Sequence, residues 1–184
     1  QEERTTIMGG TIRIGTSGWH YDHWYGPFYP DDVSKSRMLD YYQKKFGTVE
    51  INNSFYRLPN RNTLSSWKKK VHKGFCFAVK ASRYITHMKK LKDPQGPVGK
   101  FLDQISVLGE TTGPVLFQLP PRWKINGERL ADFIDGLPKG IRTAFEFRDE
   151  TWFRKEVYDV LREFNAAFCI YELAGLISPR EVTA

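Results

Sequence analysis

The sequence predicts an α/β protein with the TIM-type β/α barrel fold, incomplete here because the chain contains about six strands. Two observations favour this fold class. Short apolar runs alternate with amphipathic stretches long enough to form crossover helices, a pattern typical of parallel sheets. Several of these runs end in a charged or amide residue, which is costly to bury unless neighbouring strand ends share a site. These strand-end residues are Glu50, Lys80, Gln118 and Glu146.

A doubly wound open sheet is the rival architecture, because it also alternates strands with helices. Such a sheet gathers its functional residues at one switch point in the strand order. Polar residues end several strands of this chain, and we therefore predict the barrel.

The first predicted strand is TIRIGTSG, and an aromatic loop, GWHYDHWYGPFYPDDV, separates it from the helix SRMLDYYQKKF. In that helix Leu39, Tyr42 and Phe46 recur at helical spacing, and Gly47 is placed to end it. The second strand is TVEINNSF, followed by the helix NTLSSWKKKV. Each apolar run therefore comes with a helix that can return the chain to the same edge of the sheet.

The later units repeat this order. The third strand, FCFAVKA, precedes a basic loop and the helix PVGKFLDQISVLG, in which Phe101 and Ile105 share a face. The fourth strand, PVLFQLP, precedes the helix NGERLADFIDGL. The fifth strand, RTAFEFR, precedes FRKEVYDVLREFN, where Val157 and Leu161 share a face. AAFCIYEL is the sixth predicted strand.

Alternation along the strands predicts which side chains meet. Neighbouring residues point to opposite faces, so Phe77 and Val79 share one face and Lys80 occupies the other. We expect the bulky face to meet the helices and the smaller, polar face to line the barrel near its mouth. The inward-pointing residues are Ser17, Glu50, Lys80, Gln118, Glu146, Cys169 and Tyr171.

Length and composition suit one domain over residues 11–184, and residues 1–10 are predicted to be a flexible or expression-derived N-terminus. No run of about 18 apolar residues occurs, and the N-terminus lacks an apolar signal core. We therefore predict a cytoplasmic protein with no membrane partner. The motifs GxGxxG, GxxxxGK[ST] and GxSxG are absent, so dinucleotide binding, P-loop chemistry and serine hydrolase chemistry lack support.

The net charge of +7 is concentrated in one segment. Residues 61–100 contain eleven Lys and Arg and one acid, Asp93, whereas residues 1–60 contain seven of each sign. A segment this basic predicts an anionic partner, either a small molecule or a nucleic acid. A solvated helix face is the alternative, and it is favoured for the run of lysines at 68–70.

Five segments together resemble one known family: IGTSGWHYDHWYGPFYP, TVEINNSFYRLPN, FAVKASRYITH, GPVLFQLPPRW and AFEFRDETWF. The family is the YecE-like family, catalogued as domain of unknown function 72, and the resemblance covers residues 11–175. It implies a TIM-type barrel and implies no activity. Members of the family usually continue for further strands, so we expect residues 11–184 to form a barrel domain that is C-terminally truncated relative to the family.

Glu50, Glu146 and Lys80 are the predicted catalytic residues. Two strand-end carboxylates suit a general acid and base, or a metal pair. Lys80 is expected to bind an anion or to organise the carboxylates, since two nearby glutamates would keep it charged. The structural alternative is a buried network in which Lys80 and Arg148 neutralise both glutamates.

The predicted substrate-binding residues lie at or just after strand ends. Arg side chains suit phosphate or carboxylate groups, and His87 suits titration near neutral pH. Aromatic residues could form a rim that stacks bases or sugars, or they could simply pack the first loop over the sheet. The predicted residues are Asn52, Arg57, Arg83, Tyr84, His87, Gln118, Arg148, Trp19 and Trp152.

These features predict an enzyme, a hydrolase or a lyase, that uses carboxylate acid–base chemistry on an anionic, phosphate-containing substrate such as a nucleotide or nucleic acid. The alternative is a non-catalytic nucleic-acid-binding protein that uses residues 61–100 and the aromatic rim. No cofactor is predicted and no metal ligands are assigned, and a divalent metal between the two glutamates is a lesser alternative. The sequence makes no prediction of the oligomeric state.

Overall fold

A parallel five-stranded sheet organises the computed structural model, which describes residues 11–184. The prediction made for residues 1–10 lies outside the described residues. The strands pair side by side in chain order, each parallel to the next. They are β1 (Thr48–Ile51), β2 (Cys76–Lys80), β3 (Thr112–Gln118), β4 (Thr143–Glu146) and β5 (Ala167–Phe168).

Helices connect the strands, and asparagine side chains cap two of them. The Asn60 side chain accepts a hydrogen bond from the backbone of Thr63, and the Asn126 side chain accepts one from Arg129. The helices are α1 (Met38–Tyr42), α2 (Arg61–Lys70), α3 (Gln95–Ile105), α4 (Gly127–Asp135) and α5 (Lys155–Glu163). Within residues 11–184, no helix has the length and apolar composition needed to cross a membrane.

Shorter elements complete the described chain. Helix α3 continues as a 3-10 helix over Ser106–Thr111, and a π-helix, Tyr84–Met88, follows β2 in the segment predicted as a basic loop. After β5 the chain forms an antiparallel hairpin of β6 (Glu172–Leu173) and β7 (Leu176–Ile177). The other 3-10 helices are Asp22–Trp24, Lys35–Arg37, Asn53–Phe55 and Glu150–Trp152.

The prediction of a TIM-type barrel is wrong, because the sheet of residues 11–184 is open. Closure requires hydrogen bonds between a first and a last strand. TIRIGTSG does not form a strand of the sheet: its contact is a single parallel bridge at Ser17, and Ile12 is 88% exposed. The sixth predicted strand contributes only Ala167–Phe168 before the chain turns into the hairpin. The rival doubly wound order is also absent from this sheet, since its strand order never reverses.

The predicted alternation of faces is confirmed. Val79, Phe117 and Phe145 lie on the bulky face and are essentially inaccessible to solvent. They belong to a hydrophobic core that helices α2 to α5 cover with residues such as Leu64 and Leu161. The opposite face carries the polar strand-end residues and is mostly half-buried. The fold therefore presents these residues together on the open face of the sheet.

Candidate functional site at the carboxyl ends of the strands

Glu50 lies on the polar face of β1 and is half-buried. The Ser17 hydroxyl donates a hydrogen bond of 2.7 Å to Glu50 Oε1. Backbone hydrogen bonds join Glu50 to Thr16 and Gly18, each at 2.9 Å, so the segment before the first helix holds this residue from one side. Glu50 is thus a fixed carboxylate that still contacts solvent.

Lys80 ends β2 on the same face and is also half-buried. The buried Ser54 hydroxyl lies 2.7 Å from the Ile51 carbonyl oxygen and 2.6 Å from that of Lys80, which ties the ends of β1 and β2 together. This link sets the 3-10 helix Asn53–Phe55 against β2. The Phe55 ring consequently lies beneath the Lys80 ammonium, with 5.3 Å between Nζ and the ring centroid.

His87 reaches the same place from the π-helix. Its Nδ1 lies 2.9 Å from the Thr86 hydroxyl, and its ring packs edge-on against Phe55 at 5.0 Å between centroids. Burial lowers the pKa of His87 below its ordinary value, and the positive charges of Arg83 and Lys80 lower it further. Lys80 and His87 both pack against the Phe55 ring, and Arg83 directly precedes the π-helix that carries His87.

The cations at the end of β2 have no anionic partner in the described part of the chain. There, no carboxylate oxygen lies within 4.0 Å of Lys80, Arg83 or Arg57. In the same basic segment only Arg61, Lys70 and Lys89 form ion pairs within residues 11–184, and Lys80 differs from most of the other bases in being half-buried. We call the group of Lys80, Arg83 and His87 the cation cluster. Lys80 and Arg83 are its permanent charges, and neither forms an ion pair within residues 11–184.

Glu146 is differently placed, because it forms an ion pair with Arg148 two residues later on the same strand face. The two side chains are 8% and 20% exposed. The Arg148 guanidinium also covers the Tyr171 ring, 4.7 Å from its centroid, and the Tyr171 hydroxyl donates to the Phe147 carbonyl oxygen at 2.8 Å. These contacts favour the alternative in which Glu146 belongs to a buried ion pair, with Arg148 as the group that neutralises it.

Cys169 lies between these groups, with its thiol 4.0 Å from Glu146 Oε2. Burial raises the pKa of the thiol to about 12; the charges of Glu146 and Glu50 add to this, whereas those of Arg148 and Lys80 oppose it. A thiol with so high a pKa is a poor nucleophile at neutral pH. The strand register independently places Glu50, Lys80 and Glu146 on one face of the sheet.

Gln118 and Asn52 complete the polar face. Gln118 ends β3 directly opposite Glu146 in the register, and Asn52 follows β1; both are half-buried. Arg57 and Tyr84 are exposed in the segments after β1 and β2. Sequence reasoning assigned no role to Ser17, Cys169 or Tyr171, although the alternation of faces had already directed them inward.

The predicted aromatic rim needs correction at two positions. Trp19 and Trp152 are 2% and 1% exposed, so neither offers a free face to a ligand. Trp19 packs edge-on against Trp67, and Trp152 stacks on Phe147 at 4.9 Å between ring centroids. Both tryptophans support the sheet from within the core. Tyr56 and Tyr84 remain as exposed rings, at 74% and 44%.

Two further features of residues 11–184 bear on the location of the site. No group of three or more His, Cys, Asp or Glu side chains there could hold a metal ion. A concavity of about 680 Å³ lies at the opposite edge of the sheet, where β4 and β5 begin. Its ionisable residues, Asp135, Lys139 and Arg142, are all exposed, so none combines charge with burial. We therefore place the candidate site at the carboxyl ends.

The lowered pKa of His87 predicts a loss of stability in acid. The unfolded chain binds a proton more readily than the folded chain, so the free energy of unfolding should fall as the pH drops below the ordinary imidazole value of 6.5. Above that pH His87 is neutral in both states, and its contribution to the free energy of unfolding no longer changes with pH. Urea denaturation at about pH 7.5 and about pH 5.5 should show a smaller decrease for His87→Asn than for the parent protein. If the free energy of unfolding decreased by the same amount in His87→Asn and in the parent protein, this placement of His87 would be contradicted.

The fold and the site define an α/β protein with a parallel sheet and a charged cluster at its strand ends. The chain belongs to the family described as "Protein of unknown function DUF72", which it matches over residues 13–184.

Two curated relatives are similar to the chain. It is 28% identical over 164 residues to the UPF0759 protein YunF of Bacillus subtilis, covering 85% of this chain and 57% of the relative. It is 30% identical over 148 residues to the UPF0759 protein YecE of Escherichia coli K12, covering 78% of this chain and 51% of the relative. The chain therefore spans about half the length of the curated relatives it matches.

Solved structures of the family are similar in fold. A DUF72 family protein from Thermotoga maritima is 31% identical, with a TM-score of 0.82 over 95% of this chain and 71% of that chain. A DUF72 family protein from Enterococcus faecalis has a TM-score of 0.68 at 18% identity, covers 93% of this chain and 68% of that chain, and supports the fold alone. These similarities support the assignment to the family and the parallel α/β sheet.

Proposed function

We propose that the carboxyl ends of β1 and β2 bind an anionic, phosphate-containing ligand. The observation that carries this proposal is the cation cluster, in which Lys80 and Arg83 have no carboxylate within 4.0 Å among residues 11–184. Positive groups gathered without a counter-charge repel one another, so an anion between them is stabilised by charge-assisted hydrogen bonds.

Glu50 is the acid–base group of this proposal. It is half-buried, the Ser17 hydroxyl donates to its carboxylate, and the register places it on the same face of the sheet as Lys80. A positioned carboxylate next to a bound phosphate ester can transfer a proton to or from a leaving or attacking oxygen. Glu146 takes a different role, since its charge is already matched by Arg148, and we assign this pair to holding the site together.

The test is calorimetric titration with inorganic phosphate at low salt. Lys80→Met and Arg83→Met should each weaken binding about 10- to 100-fold, because each removes a charge-assisted hydrogen bond. Lys139→Met is the matched control: it removes the same charge at the opposite edge of the sheet and should leave the affinity within about twofold. Equal losses in all three variants would mean that phosphate responds to net charge and not to this site.

The charge of His87 should add to binding in acid. Sulfate is the suitable probe, because its charge stays constant while the imidazole takes up a proton. The sulfate affinity should rise as the pH falls through the range in which His87 titrates. This rise should disappear in His87→Asn.

Nucleic-acid binding through residues 61–100 is the alternative function. Three bases of that segment are paired with acids: Arg61 with Asp103, Lys70 with Asp40 and Lys89 with Asp93. Under this alternative, charge reversal at Lys68, Lys69 and Lys89 would weaken binding, and affinity would fall steeply with salt. Under the proposed function, those reversals have little effect on phosphate affinity.

A further inference from the structure

A second, smaller cavity lies beside Glu50, away from the cation cluster. Its volume is about 270 Å³, just below the range of about 300–1,000 Å³ that is usual for small-molecule sites. Its lining includes Trp19, Tyr21, Asn52, Asn53 and Tyr56. A cavity of this size suits one or two fused rings and not an extended molecule.

The 3-10 helix that follows β1 has residues on both the cavity and the proposed anion site. The 3-10 helix Asn53–Phe55 forms the wall between them: Asn53 lines the cavity, whereas the Phe55 ring faces Lys80 and His87. The Tyr56 ring meets the Phe55 ring at 5.0 Å between centroids. The Phe55 ring therefore lies between the lining of the cavity and the cation cluster, and the exposed Tyr56 ring borders the same helical turn.

The groups around the cavity combine a stacking surface with hydrogen-bonding groups. The Tyr56 ring is 74% exposed, although large aromatic side chains are usually covered. Asn52 and Asn53 supply amide groups, each able to donate and accept.

We infer that this cavity holds the base of a nucleotide whose phosphate is bound by the cation cluster. A nucleobase is a flat ring with donors and acceptors on its edge, which are the features that Tyr56 and the two asparagine amides match. The inference rests on the proposed anion site and extends it, because it names the class of ligand. A sugar phosphate would use the cation cluster and leave the ring of Tyr56 without a partner.

The test compares the affinities of adenosine monophosphate, cytidine monophosphate and ribose 5-phosphate by calorimetric titration of the whole chain. Base stacking predicts that at least one nucleotide binds about 5- to 150-fold more tightly than ribose 5-phosphate. Tyr56→Ala should remove this difference, and Tyr56→Phe should retain most of it because the ring remains. Since Tyr56 is largely exposed, neither substitution should unfold the protein.

The outcomes separate the two proposals. If the nucleotides bind no more tightly than ribose 5-phosphate, or if their advantage survives Tyr56→Ala, the base site is overturned while the anion site stands. If none of the three compounds, nor inorganic phosphate, binds in a manner that depends on Lys80, the anion site and the base site are both overturned. A nucleotide preference lost in Tyr56→Ala, with phosphate affinity unchanged, supports both.

Discussion

Replacing Arg148 with methionine should lower the free energy of unfolding by about 3–5 kcal/mol. The substitution keeps much of the apolar stem but leaves the Glu146 carboxylate without its partner at a position where its side chain is only 8% exposed. Such a charge retains its desolvation cost and loses the attraction that offset it. The same change removes the cation that covers the Tyr171 ring. Urea denaturation at neutral pH measures the loss.

The double variant Glu146→Gln/Arg148→Met is the control for this prediction. It removes both charges, so the stability should return to within about 1–2 kcal/mol of the parent protein. Glu146→Gln alone should leave phosphate affinity nearly unchanged, because this pair is assigned to structure. If Arg148→Met cost less than about 1 kcal/mol, Glu146 would be better solvated than the structure indicates, and a catalytic role would return to it.

Replacing Trp152 with alanine should lower the free energy of unfolding by about 3–5 kcal/mol, the usual cost of removing a large buried aromatic side chain. The Trp152 ring is 1% exposed and stacks on Phe147, itself fully buried. Its Nε1 also donates to the Trp123 carbonyl oxygen at 2.6 Å. Removal leaves a cavity beneath β4 and an unpaired carbonyl group.

Trp152→Phe separates these two costs. It keeps a stacked ring and removes the indole N–H, so we expect a smaller loss of about 1–3 kcal/mol. Where the variants remain folded, their phosphate affinity should equal that of the parent protein. A loss of affinity without a loss of stability would return Trp152 to the binding residues predicted from the sequence.

The alternation of residue size along the strands was enough to predict the sheet's two faces. In β2 the bulky Phe77 and Val79 proved fully buried, while Lys80 remained half-buried on the other face. The prediction of the two faces succeeded because successive side chains of a strand point to opposite faces, and this alternation depends only on the local backbone. The placement of Glu50 and Glu146 on one face followed from the same local rule.

Closure of the sheet could not be predicted in this way. It depends on hydrogen bonds between segments far apart in the chain, and no local pattern specifies them. TIRIGTSG has the alternation of a strand, yet only Ser17 forms a bridge to β1, and Ile12 and Ile14 are exposed. Polar residues at the ends of several strands predicted a barrel, but such residues can equally well lie along one edge of an open sheet.

The candidate site was predictable in its charged residues and not in its aromatic ones. A polar residue at a strand end must lie where it is solvated or paired, whereas an aromatic residue in a loop can cover the core or face a ligand equally well. Trp19 and Trp152 cover the core, whereas the rings of Tyr56 and Tyr84, which were also considered for the aromatic rim, are exposed. The π-helix that brings His87 to Lys80 has no clear sequence signature.

The most direct test of the account is a sulfate titration of the ¹⁵N-labelled protein followed by NMR at low ionic strength. If the cation cluster binds anions, the largest saturable shifts should occur at backbone amides of residues 80–87, with smaller shifts at 50–56. Largest shifts at the lysines of 68–70, or shifts that increase without saturation across the surface, would contradict a specific anion site at the ends of β1 and β2.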